Sequence, residues 1–223
     1  MTKEEIYSRI DHTLLKATST WEQIKVICEE SIKYHTASIC IPPSYVRRVH
    51  ETYGEKINIC TVIGFPLGYN TTDVKVYEAQ KAIEEGANEV DMVINIGWAK
   101  EHEFQKIEEE IRALKQAAGE KILKVIIETC YLTDEEKIEL CGCVTRAGAD
   151  FIKTSTGFGP SGATVEDIRL FAKHIGPKVR MKAAGGMKTK EDIYAFVEAG
   201  AARLGTSSGI KLLNEEVKSS STY

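Results

Sequence analysis

Three short stretches of this 223-residue chain follow one pattern: "EEGANEVDM" (84–92), "TRAGADFIK" (145–153) and "EAGAARLG" (198–205). Each reads as the last turn of a helix, a Gly-Ala stop, and then an apolar run entering an interior. Glycine just past a helix end adopts the left-handed conformation that closes the helix. A junction used three times marks a repeated unit rather than a linker between domains. Working outward from it, strand-like runs at 9–13, 36–41, 57–63, 88–94, 121–128, 150–154, 178–183 and 201–205 alternate with amphipathic stretches. The latter lie near 20–33, 43–53, 72–85, 100–118, 134–147, 164–174, 189–199 and 207–217. Ser19-x-x-Glu22, Thr133-x-x-Glu136 and Thr189-x-x-Asp192 supply helix starts that satisfy orphan amides. Gly86, Gly119, Gly148 and Gly200 supply the stops. Eight strand–helix units in a chain of this length predict one (β/α)8 barrel over residues 1–223, with a short N-terminal helix before it. A doubly wound open sheet is the alternative, but it would usually carry an early GxGxxG turn, and the sequence has none.

Bulk composition narrows the function classes. The chain carries 29 basic and 33 acidic residues, a net charge of −4, which argues against nucleic acid as the main partner. No stretch approaches the length of a membrane span, and "MTKEEIYSRI" lacks the apolar core of a signal peptide, so a cytoplasmic protein with no membrane partner is expected. Six cysteines show no paired CxxC pattern, and the closest pair, Cys141 and Cys143, fits reduced thiols on a helix better than a metal site. Five scattered histidines form neither HxH nor HExxH. No metal site is expected. The serine-rich end, "KSSSTY" (218–223), has the composition of a mobile tail.

The strands carry an unusual inner face. Side chains alternate across a strand, so one parity points into a barrel and the other toward its helices. Setting Lys153 and Lys182 inward leaves an apolar outer set, including Ile39, Ile59, Val90, Met92, Leu123, Val125, Ile152, Met181 and Ala183. The inner set holds Arg9, Asp11, Ser38, Cys40, Asn58, Cys60, Glu89, Asp91, Lys124, Glu128, Lys153, Arg180 and Lys182. Barrels of this kind usually fill the lumen with branched apolar residues. Here five cations are expected to face four carboxylates. Isolated buried charge costs several kcal/mol per ion, so these groups must pair with one another, with one or two, such as Lys124, solvated at strand ends.

Two lysines at the C-terminal ends of adjacent strands suggest a reaction class. A neutral lysine amine adds to aldehydes and ketones, and a second cation nearby favours the neutral form. Thr156-Gly157, Gly185-Gly186 and Gly205-Thr206-Ser207-Ser208 follow the sixth, seventh and eighth strands, where this fold commonly seats phosphate. Ser207 and Ser208 are expected to open the last helix and add its dipole.

The motifs "IDHTLL" (10–15), "ASICIPPSYV" (37–46), "TVIGFPLG" (61–68), "EVDMVINIG" (89–97), "KVIIET" (124–129), "ADFIKTSTGF" (149–158), "MKAAGG" (181–186) and "GTSSG" (205–209) resemble the deoxyribose-phosphate aldolases along essentially the whole chain. The resemblance implies a class I aldolase that cleaves 2-deoxy-D-ribose 5-phosphate to acetaldehyde and D-glyceraldehyde 3-phosphate without metal or organic cofactor. It implies Lys153 as the Schiff-base lysine, Lys182 as the neighbour that lowers its pKa, and Asp91 as the acid/base acting with Lys182. It further implies Asp11 and Thr156 as substrate contacts, and Gly157, Gly185, Gly186, Gly205, Ser207 and Ser208 as the phosphate site. Tyr223 matches the family's C-terminal tyrosine, which takes part in proton transfer. A phosphosugar and acetaldehyde are then the small-molecule partners, and a homo-oligomer, dimer or tetramer, is compatible. In some members a lysine follows "KTSTG"; here the residue is Phe158. Another Schiff-base aldolase or a transaldolase acting on a different sugar phosphate remains the alternative.

Overall fold

Eight parallel strands close on themselves in sequence order in the computed structural model, which describes residues 1–215. They are β1 (Ile10–Thr13), β2 (Ser38–Ile41), β3 (Ile59–Ile63), β4 (Glu89–Val93), β5 (Ile122–Ile126), β6 (Phe151–Lys153), β7 (Arg180–Ala184) and β8 (Arg203–Thr206). The helices are α1 (Lys3–Tyr7), α2 (Trp21–Tyr34), α3 (Val46–Tyr53), α4 (Thr72–Glu84), α5 (Ile96–Lys100), α6 (Phe104–Ala118), α7 (Asp134–Ala147), α8 (Val165–His174), α9 (Lys190–Glu198) and α10 (Gly209–Asn214). This is the (β/α)8 barrel that the repeated junction predicts. No helix of the described residues is long and apolar enough to cross a membrane.

Local chemistry explains most boundaries. Thr133 with Glu136 and Thr189 with Asp192 form reciprocal capping boxes on α7 and α9, as their spacing predicts. The box on α2 sits one residue later than expected, between Thr20 and Gln23. Ser19 instead turns its hydroxyl back to the carbonyl of Lys16, 2.7 Å away. The helix expected at 100–118 starts at Phe104, and a separate short helix precedes it. Asn95 caps α5, and His102, with φ +58°, breaks the chain before α6 starts. The last helix begins at Gly209, after both serines rather than at them.

The apolar parity packs outward as predicted. Ile39, Val90, Met92, Leu123, Val125, Ile152 and Ala183 are fully buried between strands and helices in one continuous core. Burying each large side chain contributes roughly 1.5–3 kcal/mol, so the shell between sheet and helices holds the fold. The lumen is left to other residues. One side of it is a small thiol and valine cluster, Cys40, Cys60 and Val62, with Leu15 and Phe65 against it near the mouth.

Candidate active site

Register brings the charged residues together. Lys153 pairs with Lys182 across β6 and β7, Asp91 with Lys124 across β4 and β5, and Lys182 with Arg203 across β7 and β8. Asp11 on β1 stands beside Ser38 and Gly205. With parity fixed by the outer core, these side chains meet inside the barrel.

The result is a connected ion network. Asp91 Oδ2 accepts hydrogen bonds from Lys153 Nζ and Lys182 Nζ, each at 2.7 Å, and Oδ1 accepts one from Lys124 Nζ at 2.8 Å. Lys124 also lies 2.5 Å from Glu89 and 3.7 Å from Asp11. Arg203 donates to both oxygens of Glu89, at 3.1 Å each, and to Asp11. Asp11 further binds Lys182 and, at 2.8 Å, the hydroxyl of Ser38. Burial raises the pKa of Asp11, but Lys182, Lys124 and Arg203 outweigh it and hold the carboxyl below its usual range. Burial opposes ionisation of Asp91 too, yet Lys124, Lys153 and Lys182 hold it well below the usual carboxylate range. For Lys182, burial favours the neutral form, and Asp11 with Asp91 reverses that and raises its pKa. Lys124 is raised well above the ordinary lysine value in the same way, with Asp91 as its largest attractive partner.

Charge balance singles out one residue. Four cations (Lys124, Lys153, Lys182 and Arg203) meet three carboxylates (Asp11, Glu89 and Asp91) in this network. Arg203 cannot give up a proton, and Lys124 and Lys182 each touch at least two carboxylates. Lys153 touches one, and it is the network lysine that lines the cavity above.

That cavity has a volume of 360 Å³ and is built by four neighbouring loops. Thr156, Gly157 and Phe158 come from the end of β6, Ala184, Gly185 and Met187 from β7, Gly205 to Ser208 from β8, and Thr13 to Lys16 from β1. Gly157 and Gly185 have φ of +88° and +69°, a conformation that β-carbon-bearing residues rarely adopt. Gly205 has a different reason: a Cβ there would stand 3.1 Å from Lys182 Cε, inside the space the lysine occupies.

The structure corrects several expected placements. Asp11 lies beneath the cavity, under Lys182, and does not line it. Gly186 also lies outside the lining, with φ +78°, and a Cβ there would stand 2.6 Å from the carbonyl oxygen of Ala163. Thr156 lines the cavity, but its hydroxyl and amide are both donated to Glu128, the amide at 3.1 Å. Glu128 thus anchors this loop instead of joining the lumen network. Lys124, expected to be solvated, is fully buried at the network's centre, because β5 carries it inward beside Asp91. Arg9, Asn58 and Arg180, expected inside, stand at the opposite, N-terminal end: Arg180 is exposed over the Phe151 ring at 4.1 Å, and Asn58 is exposed just before β3. α10 has only six residues and Ser208 makes no side-chain cap, so the expected dipole contribution falls away. Tyr223 lies outside the described residues.

Two residues escaped the sequence reading. Arg203 has inward parity, two before Gly205 in "GAARLG", and the same alternation rule identifies it. Lys16 sits in the loop after β1, where no periodicity applies.

Donor chemistry speaks against a metal in the lumen. Cys40, Cys60 and Asp91 lie close enough to share an ion, as do Asp11, Cys60 and Glu89. However, Lys124 Nζ already occupies the space between them, 3.3 Å from Cys60 and 2.8 Å from Asp91. Burial also pushes the Cys60 thiol well above its usual pKa, away from the thiolate a metal needs. Cys141 and Cys143 are pushed up by burial to about 12 and about 11.

A family model described as DeoC/LacD family aldolase matches residues 6–214. A deoxyribose-phosphate aldolase from Clostridium botulinum is 62% identical over 216 residues, covering 97% of this chain and 98% of that protein. One from Streptococcus pyogenes is 53% identical over 223 residues, the full length of both. Among solved structures, a deoxyribose phosphate aldolase from Aeropyrum pernix, described as having a unique tetrameric structure, superposes with a TM-score of 0.86 at 32% identity, covering 95% of this chain and 91% of that one.

Proposed function

The chain belongs to the DeoC/LacD aldolase family and is a carbon–carbon lyase, and from that premise we propose that it cleaves 2-deoxy-D-ribose 5-phosphate through a Schiff base on Lys153. The observation that carries the reading is the Lys153 amine at the cavity floor, 2.7 Å from Asp91, in a network with one cation in excess. Such an amine is a nucleophile toward the open-chain aldehyde.

Lys153 adds to C1 and gives a carbinolamine. Asp91, which touches Lys153 and Lys182 through one oxygen, passes protons between them as the hydroxyl at C1 leaves as water. The iminium that results is an electron sink. The C3 hydroxyl loses its proton, the C2–C3 bond breaks toward the iminium, and D-glyceraldehyde 3-phosphate departs. An enamine of two carbons remains on Lys153. Protonation at C2, which this reading assigns to a relay including Tyr223, and addition of water release acetaldehyde and restore the amine. Asp11 acts at one remove, holding Lys182 in place. Burial of the network in a low-dielectric lumen keeps these charges fixed before substrate arrives, so little reorganisation accompanies the reaction.

The same reading places the reaction in the cytoplasm, in deoxyribonucleoside catabolism. It is tested by incubating the enzyme with 2-deoxyribose 5-phosphate and measuring both aldehydes. Equimolar acetaldehyde and glyceraldehyde 3-phosphate are expected. Faster cleavage of another sugar phosphate in a parallel panel would move the assignment to a different Schiff-base aldolase.

A further inference from the structure

The cavity above Lys153 has a charge asymmetry that the Schiff-base chemistry does not use. No aspartate or glutamate lines it, and two cations do: Lys153 and Lys16. Lys153 is engaged by Asp91 at 2.7 Å. Lys16 forms no ion pair and no side-chain hydrogen bond with any described residue.

The backbone that carries Lys16 is nevertheless fixed. Leu14 donates its amide to the carbonyl of Cys40 at 2.9 Å, which ties the start of the loop to β2. The carbonyl of Lys16 accepts from the amide of Ser19 at 3.0 Å and from its hydroxyl at 2.7 Å. The loop then enters α2 through the Thr20 capping box. Lys16 is itself exposed, so its ammonium stands at the rim of this acid-free cavity, on an anchored turn from which it can meet an anion entering from solvent.

Its neighbours suit an anion as well. β1 lies beside β8, so the Lys16 loop adjoins the loop carrying Ser207 and Ser208. Among the described residues neither serine hydroxyl is used in a hydrogen bond, and both residues line the cavity. On the opposite flank Phe158 offers no charge; it is 55% exposed and its ring packs edge-on against Phe65, with centroids 5.3 Å apart.

Resting on the proposed phosphosugar reading, we infer that Lys16 binds the substrate's phosphate together with Ser207 and Ser208, and so sets the preference for phosphorylated over unphosphorylated sugar. An ammonium–phosphate contact is a charge-assisted hydrogen bond. Its removal lowers binding by roughly 10- to 100-fold.

The experiment measures kcat/KM for 2-deoxyribose 5-phosphate and for 2-deoxyribose in the wild type, Lys16→Met, Lys16→Arg and a distant control, Lys173→Met. Lys16→Met is expected to cut the ratio of the two values roughly 10- to 100-fold, while Lys16→Arg and the control stay within about threefold of the wild-type ratio. An unchanged ratio in Lys16→Met, or an equal loss on both sugars, would overturn the inference. Titration with inorganic phosphate separates this from the substrate reading. If the wild type cleaves neither sugar, the substrate assignment fails by itself. Lys16 is then judged by phosphate affinity: a weakening of similar size in Lys16→Met supports its role, and unchanged affinity overturns it.

Discussion

Replacing Lys124 with methionine tests the lumen network where it is densest. The side chain is 0% exposed, and its ammonium lies 2.5 Å from Glu89, 2.8 Å from Asp91 and 3.3 Å from Cys60. Methionine fills a similar volume without the charge, so packing is nearly conserved and the electrostatic loss dominates. Removing Lys124 takes away the one ammonium shared by Glu89 and Asp91, and breaking such a buried pair costs about 3–5 kcal/mol. For a chain of this size each kcal/mol corresponds to about 2–4 °C, so Tm should fall by roughly 6–20 °C. Adding Glu89→Gln to Lys124→Met removes a carboxylate as well and restores the one-cation excess. The double variant should therefore lose less than the sum of the single changes, with a coupling of at least about 1.5 kcal/mol. Scanning calorimetry and urea melts of the four proteins give the cycle. A loss below about 1 kcal/mol in Lys124→Met, or strict additivity, would refute the reasoning and return Lys124 to the status of a solvated strand-end residue.

Other perturbations probe separate parts of the site. Asp11 has a folded-state pKa below its unfolded value, so its stabilisation is complete above about pH 4 and is lost as pH falls toward the folded value. The stability gap between wild type and Asp11→Asn should stay near 3 kcal/mol in order of magnitude from pH 8 to pH 5 and narrow only below about pH 4; a gap that closes between pH 8 and pH 6 contradicts it. Glu128→Gln removes one of the two acceptors that hold Thr156; KM for the phosphosugar should rise about tenfold while lysine trapping by acetaldehyde persists, and an unchanged KM would mean that the loop needs no such anchor. Deleting Tyr223 should lower turnover and solvent proton exchange into acetaldehyde on the order of 10²-fold, and equal rates would remove it from the relay.

Much of this was legible in the sequence because period-two alternation is a strict rule once a barrel is inferred. It places Lys153, Lys182, Asp91 and Asp11 in one lumen, and the structure joins them there. The rule fails where regular strand ends. Arg9, Asn58 and Arg180 obey the parity but stand at the rim, because the side-chain period says which face a residue takes and not its depth along the barrel axis. Lys124 failed in the other direction: a lysine is more often solvated than buried, and only the register with Asp91 reveals that three carboxylates surround it. Lys16 lies on a loop, where a residue's position depends on turns such as the Lys16–Ser19 hydrogen bonds and no periodic signal exists. The one-residue slip of the α2 cap from Ser19 to Thr20 has the same origin, since two adjacent hydroxyl residues compete for one role.

The central claim is that Lys153 is the amine that bonds carbon. Treating the enzyme with acetaldehyde and borohydride, then digesting it and sequencing the peptides by mass spectrometry, reads this directly. The account predicts an N-ethyl group on Lys153 and none on Lys182, Lys124 or Lys16, with labelling abolished in Lys153→Arg. Modification of a different lysine, or complete resistance to trapping while 2-deoxyribose 5-phosphate is still cleaved, would contradict it.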